Sequence, residues 1–357
     1  MTVAEPDVLR TAEQEQFAAA LHAALGDADV PAAARRWAAG DHAPGQQLWR
    51  SLAGLGVTGL AVPQRWDGLG ASLTDVVVAC EELGHHPVPG PVAESVAAVP
   101  VLLAALAEAG IAALGGEAPG GADGKMDGDA LAQRWLPGLA GGSIATLALP
   151  PQLPYAADAD AADVVLLVDG DTLWLAAPGE LRRSVDPART LAPARGTQKL
   201  TRGPAVAAAA GRALDAGALA CAAQLLGAGR ALLEASVRHA GQRIQFGRPV
   251  GGFQAVKHRL ADVAIGLEFA RPLLGAAAAA LAAGEGSAAR DVSAAKVACT
   301  EAARRAARAG LQVHGAIGYT CEHDLHLWLT KVRALSGAWG SQSWHRARVL
   351  AGDVSWT

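Results

Sequence analysis

Two short segments near the C-terminal end carry side chains that could grip a charged, planar ligand. The first is Arg243-Ile244-Gln245-Phe246-Gly247, followed by Phe253-Gln254. The second is Leu311-Gln312-Val313-His314-Gly315-Ala316-Ile317-Gly318-Tyr319-Thr320, with Glu322-His323-Asp324 just beyond. A guanidinium donates two parallel charge-assisted hydrogen bonds and so suits a diphosphate. Glycine lets backbone approach a ligand with no Cβ in the way. Each segment also has a plainer reading: Arg243 as a solvated helix end, and the glycines as a helix C-cap.

Acid–base candidates are sparse. Asp215 sits where an acid near a helix N-terminus is stabilised by the helix dipole, which is its simpler reading. Glu234 and His239 lie farther along the same helical stretch. His239 stands one turn before Arg243 and could share its cleft. His314, His323 and His326 are close in sequence, but no cysteine or carboxylate cage completes a metal set; interface and helix-start roles are expected, and no metal site. Gly68-Leu69-Gly70 looks like a phosphate loop but lacks the following Gly or Lys, so it reads as a turn.

The elements that must position these groups are mostly helices. The 357 residues are 51% hydrophobic and 18% charged, as in a globular protein of two or three domains. Alanine dominates the apolar fraction and favours helix. A helix starting after Thr11 puts Phe17, Leu21 and Leu25 on one face. Leu48–Leu55 and Thr74–Leu83 are further helices, the latter expected to stop at Gly84. Pro87, Pro89 and Pro91 break the chain before a helical stretch reaching about Leu114. Gly115–Gly128 reads as a linker. Apolar runs at Ile144–Leu149, Val164–Val168 and Leu173–Leu175 read as strands, with Asp169-Gly170 as a hairpin turn. Long helices are expected from about Leu214 to Arg243, Phe253 to Ala283 and Ser287 to Val313. The predicted domains are therefore a helical one over 1–116, a small β domain over 117–204 and a C-terminal four-helix bundle over 205–357.

The net charge of −4 leaves no electrostatic footprint for nucleic acid or an anionic membrane. Val92–Leu114 contains Glu94, Pro100 and Glu108, so it reads as core helices with a bend rather than a membrane span. Residues 1–10 have acids and no apolar core, so no signal peptide is expected. Cys80, Cys221, Cys299 and Cys321 are far apart and read as buried free thiols in a reducing cytoplasm.

The two C-terminal segments resemble the R-x-x-F-G…F/H-Q and Q-x-x-G-G-x-G-[FY] motifs of the acyl-CoA dehydrogenases. Leu60-Ala61-Val62-Pro63 with Gly68-Leu69-Gly70, Glu81-Glu82-Leu83-Gly84 and Trp135–Ala140 are similar to the N-terminal part of that family. The resemblance covers most of the chain. It implies a mainly α fold with an N-terminal helical domain, a trimmed middle β domain and a C-terminal bundle. It also implies FAD as cofactor, an acyl-CoA as substrate, and an acceptor similar to electron-transfer flavoprotein. By the same match Arg243, Gln245, Phe246, Gln254, Gln312, Gly315 and Ala316 are the FAD-contact residues, reaching the pyrophosphate and adenosine half of a cofactor in a neighbouring subunit.

The family removes an α-proton with a glutamate and passes the β-hydride to flavin. That glutamate stands in one of two places. The stretch similar to Y-E-G-T-S-Q is Gly337-Ala338-Trp339-Gly340-Ser341-Gln342, which puts Ala338 or Trp339 at the base position. Counting back from Arg243 puts Gly217 at the other. None is an acid, and a tryptophan would fill the space meant for acyl chain or flavin. The T-E-P-x-A-G-S-D segment and the W-I-[ST] strand that hold the flavin ring are also missing; Leu149–Tyr155 stands in their place, and Trp174 comes too late. Retained neighbour contacts with a lost ring site and base are expected of the non-basic half of a heterotetrameric dehydrogenase, whose second subunit carries the glutamate. Two other readings remain: a self-sufficient flavoenzyme using Asp215, Glu234 or His239 as base, and a flavin-free structural or acyl-CoA-binding protein.

Overall fold

A computed structural model describes residues 10–113 and 126–351. The chain opens with helices α1 (Ala12–Asp27), α2 (Val30–Ala38), α3 (Ala43–Gly54) and α4 (Leu73–His85). Thr11 and Ser72 each close a capping box, with Gln14 and Asp75 returning the bond, so α1 and α4 begin where side chains satisfy the first free N–H groups. A π-helical turn, Glu94–Ala98, leads into α5 (Val99–Ala113), and α6 (Gly128–Ala140) packs on α5. The helix α6 lies in a stretch assigned to the β domain from sequence. The first strand starts only at Ala145.

Among the described residues nine strands follow: β1 (Ala145–Ala148), β2 (Ala156–Ala157), β3 (Val164–Asp169), β4 (Thr172–Pro178), β5 (Arg182–Arg183), β6 (Thr190–Ala192), β7 (Ala194–Arg202), β8 (Ile244–Gln245) and β9 (Arg248–Pro249). Strands β1-β3-β4-β7 form one sheet, parallel at β1/β3 and antiparallel elsewhere. Asp169 and Thr172 pair across Gly170 at φ 58°, as the Asp-Gly signal predicts. A second sheet has the order β2-β6-β5, and β8/β9 stand apart as a hairpin.

The C-terminal part is built on α7 (Pro204–Gln242), α8 (Gln254–Ala283) and α9 (Ala288–His314), closed by α10 (Leu325–Leu335) and α11 (Gln342–Ala351). Both α7 and α8 are long and apolar enough to cross a membrane by composition, but 89% of the apolar window of α7 is buried inside the protein. It runs through the core against α4, α5, α8 and α9. Glycine makes the α4/α7 approach close. A Cβ on Gly84 would fall 2.1 Å from the Gln224 carbonyl oxygen, and one on Gly227 would fall 1.8 Å from that of Glu81. Gly84 therefore serves packing: α4 continues to His85 instead of stopping there.

Cys80, Cys221 and Cys299 are buried, but Cys321 is exposed, which corrects the expectation of four buried thiols. Burial pushes the Cys80 and Cys299 thiols up to about 12, so neither is a nucleophile at neutral pH.

Candidate functional site

The end of α7, the start of α8 and the end of α9 enclose a cleft of about 540 Å³. Arg243, Gln245, Gln312, Gly315 and Ala316 line it, together with His239, Arg259 and His314. Five of the seven residues singled out from sequence are thus brought together. The other two stand beside it. Phe246 tips the β8/β9 hairpin at φ 54° and is 90% exposed, and Gln254 is the exposed first residue of α8. Phe253 meets Phe246 edge to face at 6.0 Å and lies under the Arg248 guanidinium at 4.0 Å, which stiffens the hairpin base.

Helix α9 ends at Gly315, with φ 64° and ψ −139°, a conformation that side chains resist. A Cβ there would meet nothing within 4 Å, so the backbone faces open space. The ring of His239 stacks on that of His314 at 4.3 Å. Burial, helped by neighbouring His323 and Arg243, lowers the pKa of His239, so it is a neutral, polar wall. Nδ1 of His314 donates to the Gly310 carbonyl at 2.8 Å. His323 Nδ1 accepts from the Leu325 N–H at 3.1 Å, fastening the start of α10. Sequence reading missed Arg259: it lies five residues into α8 from Gln254, and only the fold brings it to the cleft that Arg243 lines.

Two of the positions that the resemblance matches to the family's base, Trp339 and Gly217, meet in the interior. Trp339 lies in the loop between α10 and α11 at φ 59° and is 0% exposed. Its ring packs on the flat patch that Gly217 leaves on α7; a Cβ on Gly217 would fall 2.2 Å from Trp339 Cζ3. The two positions are thus one packing contact. His345 holds the loop, with Nε2 donating to the Trp339 carbonyl at 2.8 Å and Nδ1 against Ser293 Oγ at 3.0 Å. Ala338 is half-buried.

Two of the substitute bases, Asp215 and Glu234, are each held by a basic side chain. The carboxylate of Asp215 is gripped by both terminal nitrogens of Arg348, one at 3.1 Å, and both side chains are about nine-tenths buried. Glu234 accepts from His85 Nε2 at 3.0 Å. Burial opposes its ionisation, but the His85 bond and the charges of His85, Arg230 and Arg238 keep its pKa below the usual value. Glu94, read from sequence only as a charge against a membrane span, is 0% exposed, and neither oxygen has a hydrogen-bond partner. Burial raises its pKa despite Arg189 at 3.6 Å. Glu94 is therefore an acid walled inside the core beside Arg189.

The chain is similar to known proteins over nearly its whole length. The family model "Acyl-CoA dehydrogenase, N-terminal domain" matches residues 11–143, and "Acyl-CoA dehydrogenase, C-terminal domain" matches residues 206–352. Acyl-CoA dehydrogenase IpdE2 of Mycobacterium tuberculosis is 33% identical over 84% of this chain and 85% of its own length. Acyl-CoA dehydrogenase FadE34 of the same organism is 33% identical over 92% of this chain, but the match spans 45% of that protein. The crystal structure of the ChsE4-ChsE5 complex from Mycobacterium tuberculosis contains the same fold, with a TM-score of 0.76 and 22% identity over 97% of this chain and 99% of that one. Both conserved domains are matched and the order of elements agrees: this chain belongs to the acyl-CoA dehydrogenase family.

Proposed function

We propose that this chain is the non-basic subunit of a heteromeric FAD-dependent acyl-CoA dehydrogenase. It completes an FAD site whose ring pocket and catalytic glutamate belong to a partner subunit of the same family. The observation that carries this reading is the packing of Trp339 on Gly217. Both places where the family keeps its base hold residues without a carboxylate, and together they fill the room a thioester and a flavin ring would need.

The residues present suit the other half of the cofactor. Arg243 and Arg259 offer two guanidiniums in one cleft, Gln245 and Gln312 offer amides, and Gly315 gives backbone that can be approached closely. These would hold the diphosphate and adenosine end of FAD, with Phe246 and Gln254 at the rim. When bound, the flavin accepts the β-hydride from the acyl-CoA. The task of this chain is to anchor and orient, and to keep water out along the shared face.

A second subunit is also suggested by the surface. The β8/β9 hairpin projects with Ile244 and Phe246 exposed, and α8 shows Ile265, Phe269 and Leu273 at four-residue spacing, between 46% and 74% exposed. The ChsE4-ChsE5 structure is of a complex, and FadE34 is more than twice as long as the part matched here. An electron-transfer-flavoprotein-like acceptor would reoxidise the shared cofactor.

The test is co-purification with the glutamate-bearing subunit. Losing a charge-assisted bond costs about 1.5–3 kcal/mol, so Arg243→Ala should release flavin from the assembly at roughly 10- to 150-fold lower dilution than wild type. Unchanged flavin retention in Arg243→Ala would sink the anchoring role. Turnover by the isolated chain would favour the self-sufficient reading instead.

A further inference from the structure

The last turn of α4 and the middle of α1 converge on a group of side chains far from the cleft. Glu82 and His85 share one face of α4. His86, the extended C-cap residue at φ −97°, turns back beside them, and α1 brings His22 across. His22 Nδ1 lies 2.9 Å from Glu82 Oε2 and 3.3 Å from His86 Nε2. The His22 ring centroid is 4.8 Å from that of His85 and 4.7 Å from that of His86. One ligand-capable atom from each of the four residues lies within 4.8 Å of the others.

Protons pair this group incompletely. His22 Nδ1 can donate one hydrogen or accept one. If it donates to Glu82, its lone pair is gone, and His86 Nε2 is left to turn its own lone pair toward that N–H. If it accepts from His86, Glu82 has no donor there. His85 adds a second mismatch. Its side chain is 10% exposed, Nε2 donates to Glu234 at 3.0 Å, and Nδ1 is buried with no hydrogen-bond partner. A carboxylate that fixes one imidazole nitrogen and leaves the other as a lone pair is the usual arrangement behind a metal-bound histidine.

The spacing suits a small tetrahedral cation. Bonds of about 2.0–2.1 Å place tetrahedral ligand atoms roughly 3.3 Å apart. Two of the observed separations are 2.9 and 3.3 Å, all four ligand atoms lie within 4.8 Å of one another, and His22, whose side chain is 45% exposed, has room to adjust. Arg230 binds Glu82 through Oε1 at 2.9 Å, which leaves Oε2 turned to the histidines. Three imidazoles and one carboxylate favour zinc.

We propose that His22, Glu82, His85 and His86 bind one zinc ion in a closed structural site. The ion fastens α1 to the end of α4 and, through Glu234 behind His85, to α7.

The test uses the untagged full-length chain, stripped with a chelator, reloaded with zinc sulfate and gel-filtered before metal analysis. One zinc should be retained per chain, and its addition should raise the thermal midpoint. Cobalt(II) in its place should give the intense visible bands of a tetrahedral site. His22→Ala removes a half-exposed ligand and should lower zinc affinity at least tenfold while keeping the helical circular dichroism and midpoint of the stripped wild type. Glu234→Gln should weaken binding 10- to 100-fold, and His258→Ala, on α8, should leave it unchanged. Absence of retained zinc in the wild type overturns the proposal, as does equal retention in wild type and His22→Ala.

Discussion

The contact between Trp339 and Gly217 can be tested as a coupling energy. A methyl group on Gly217 would sit 2.2, 2.4 and 2.5 Å from three atoms of the Trp339 ring, which is fully buried. The ring or α7 must move, and such overpacking costs about 1–3 kcal/mol. Away from a clash, Gly→Ala in a helix interior is favourable by about 1 kcal/mol. Trp339→Leu removes the obstructing ring while keeping an apolar side chain in the loop. Gly217→Ala should therefore destabilise the wild type by about 0–2 kcal/mol, the overpacking cost less the propensity gain, but stabilise the Trp339→Leu background by about 1 kcal/mol. The double-mutant cycle, read from urea midpoints at constant slope, should yield a coupling of about 1–3 kcal/mol, the difference between those two estimates. Additivity within about 0.5 kcal/mol would refute the reasoning, because it would mean that the ring does not occupy the space in front of Gly217.

His345, which holds the Trp339 loop, is pushed from 6.5 down to about 4 by burial, with Lys296 and Arg348 adding to the effect. The unfolded chain then binds the extra proton between about pH 6.5 and 4, so stability is full above pH 6.5 and falls toward pH 4. One group shifted this far contributes about 3 kcal/mol, and His345→Gln should flatten that part of a stability–pH curve; an unchanged slope would contradict it. Asp215→Asn leaves Arg348 buried without its carboxylate and should cost about 3–5 kcal/mol of stability while leaving turnover of the heteromeric assembly intact; selective loss of turnover with normal stability would restore Asp215 as a base. Of the four cysteines, Cys321 alone is exposed, so a chromogenic disulfide reagent should titrate one thiol in the native chain and four after unfolding. Faster modification of a second thiol would show that the core around Cys80, Cys221 or Cys299 opens.

Long-range packing marks the limit of what the residues reveal in order. Helices α7, α8 and α9 were legible because alanine-rich runs with Gly and Pro punctuation constrain few alternatives, although α7 begins ten residues before the expected Leu214. The hairpin at Asp169-Gly170 was legible because its turn chemistry is local. Gly84 misled as a helix stop, since its purpose, the approach to Gln224, depends on a helix 140 residues away. Strand β7 was missed because most of its residues face solvent and lack the apolar run of a buried strand. Five of the seven residues that the resemblance singled out line one cleft. The absence of a carboxylate at Ala338, Trp339 and Gly217 was readable position by position, but the contact between Trp339 and Gly217 was not. The group around His22 and Glu82 was invisible for the same reason: 60 residues separate ligands that only the α1/α4 packing unites.

The most direct measurement of the central claim is the flavin content of the purified heteromeric assembly, counted against each subunit. If Trp339 fills this chain's ring site and its Arg243 cleft serves a partner, as proposed, the assembly holds one FAD per pair of subunits and the chain purified alone is colourless. Two FAD per pair, or a lone yellow chain that bleaches on addition of an acyl-CoA, would contradict it.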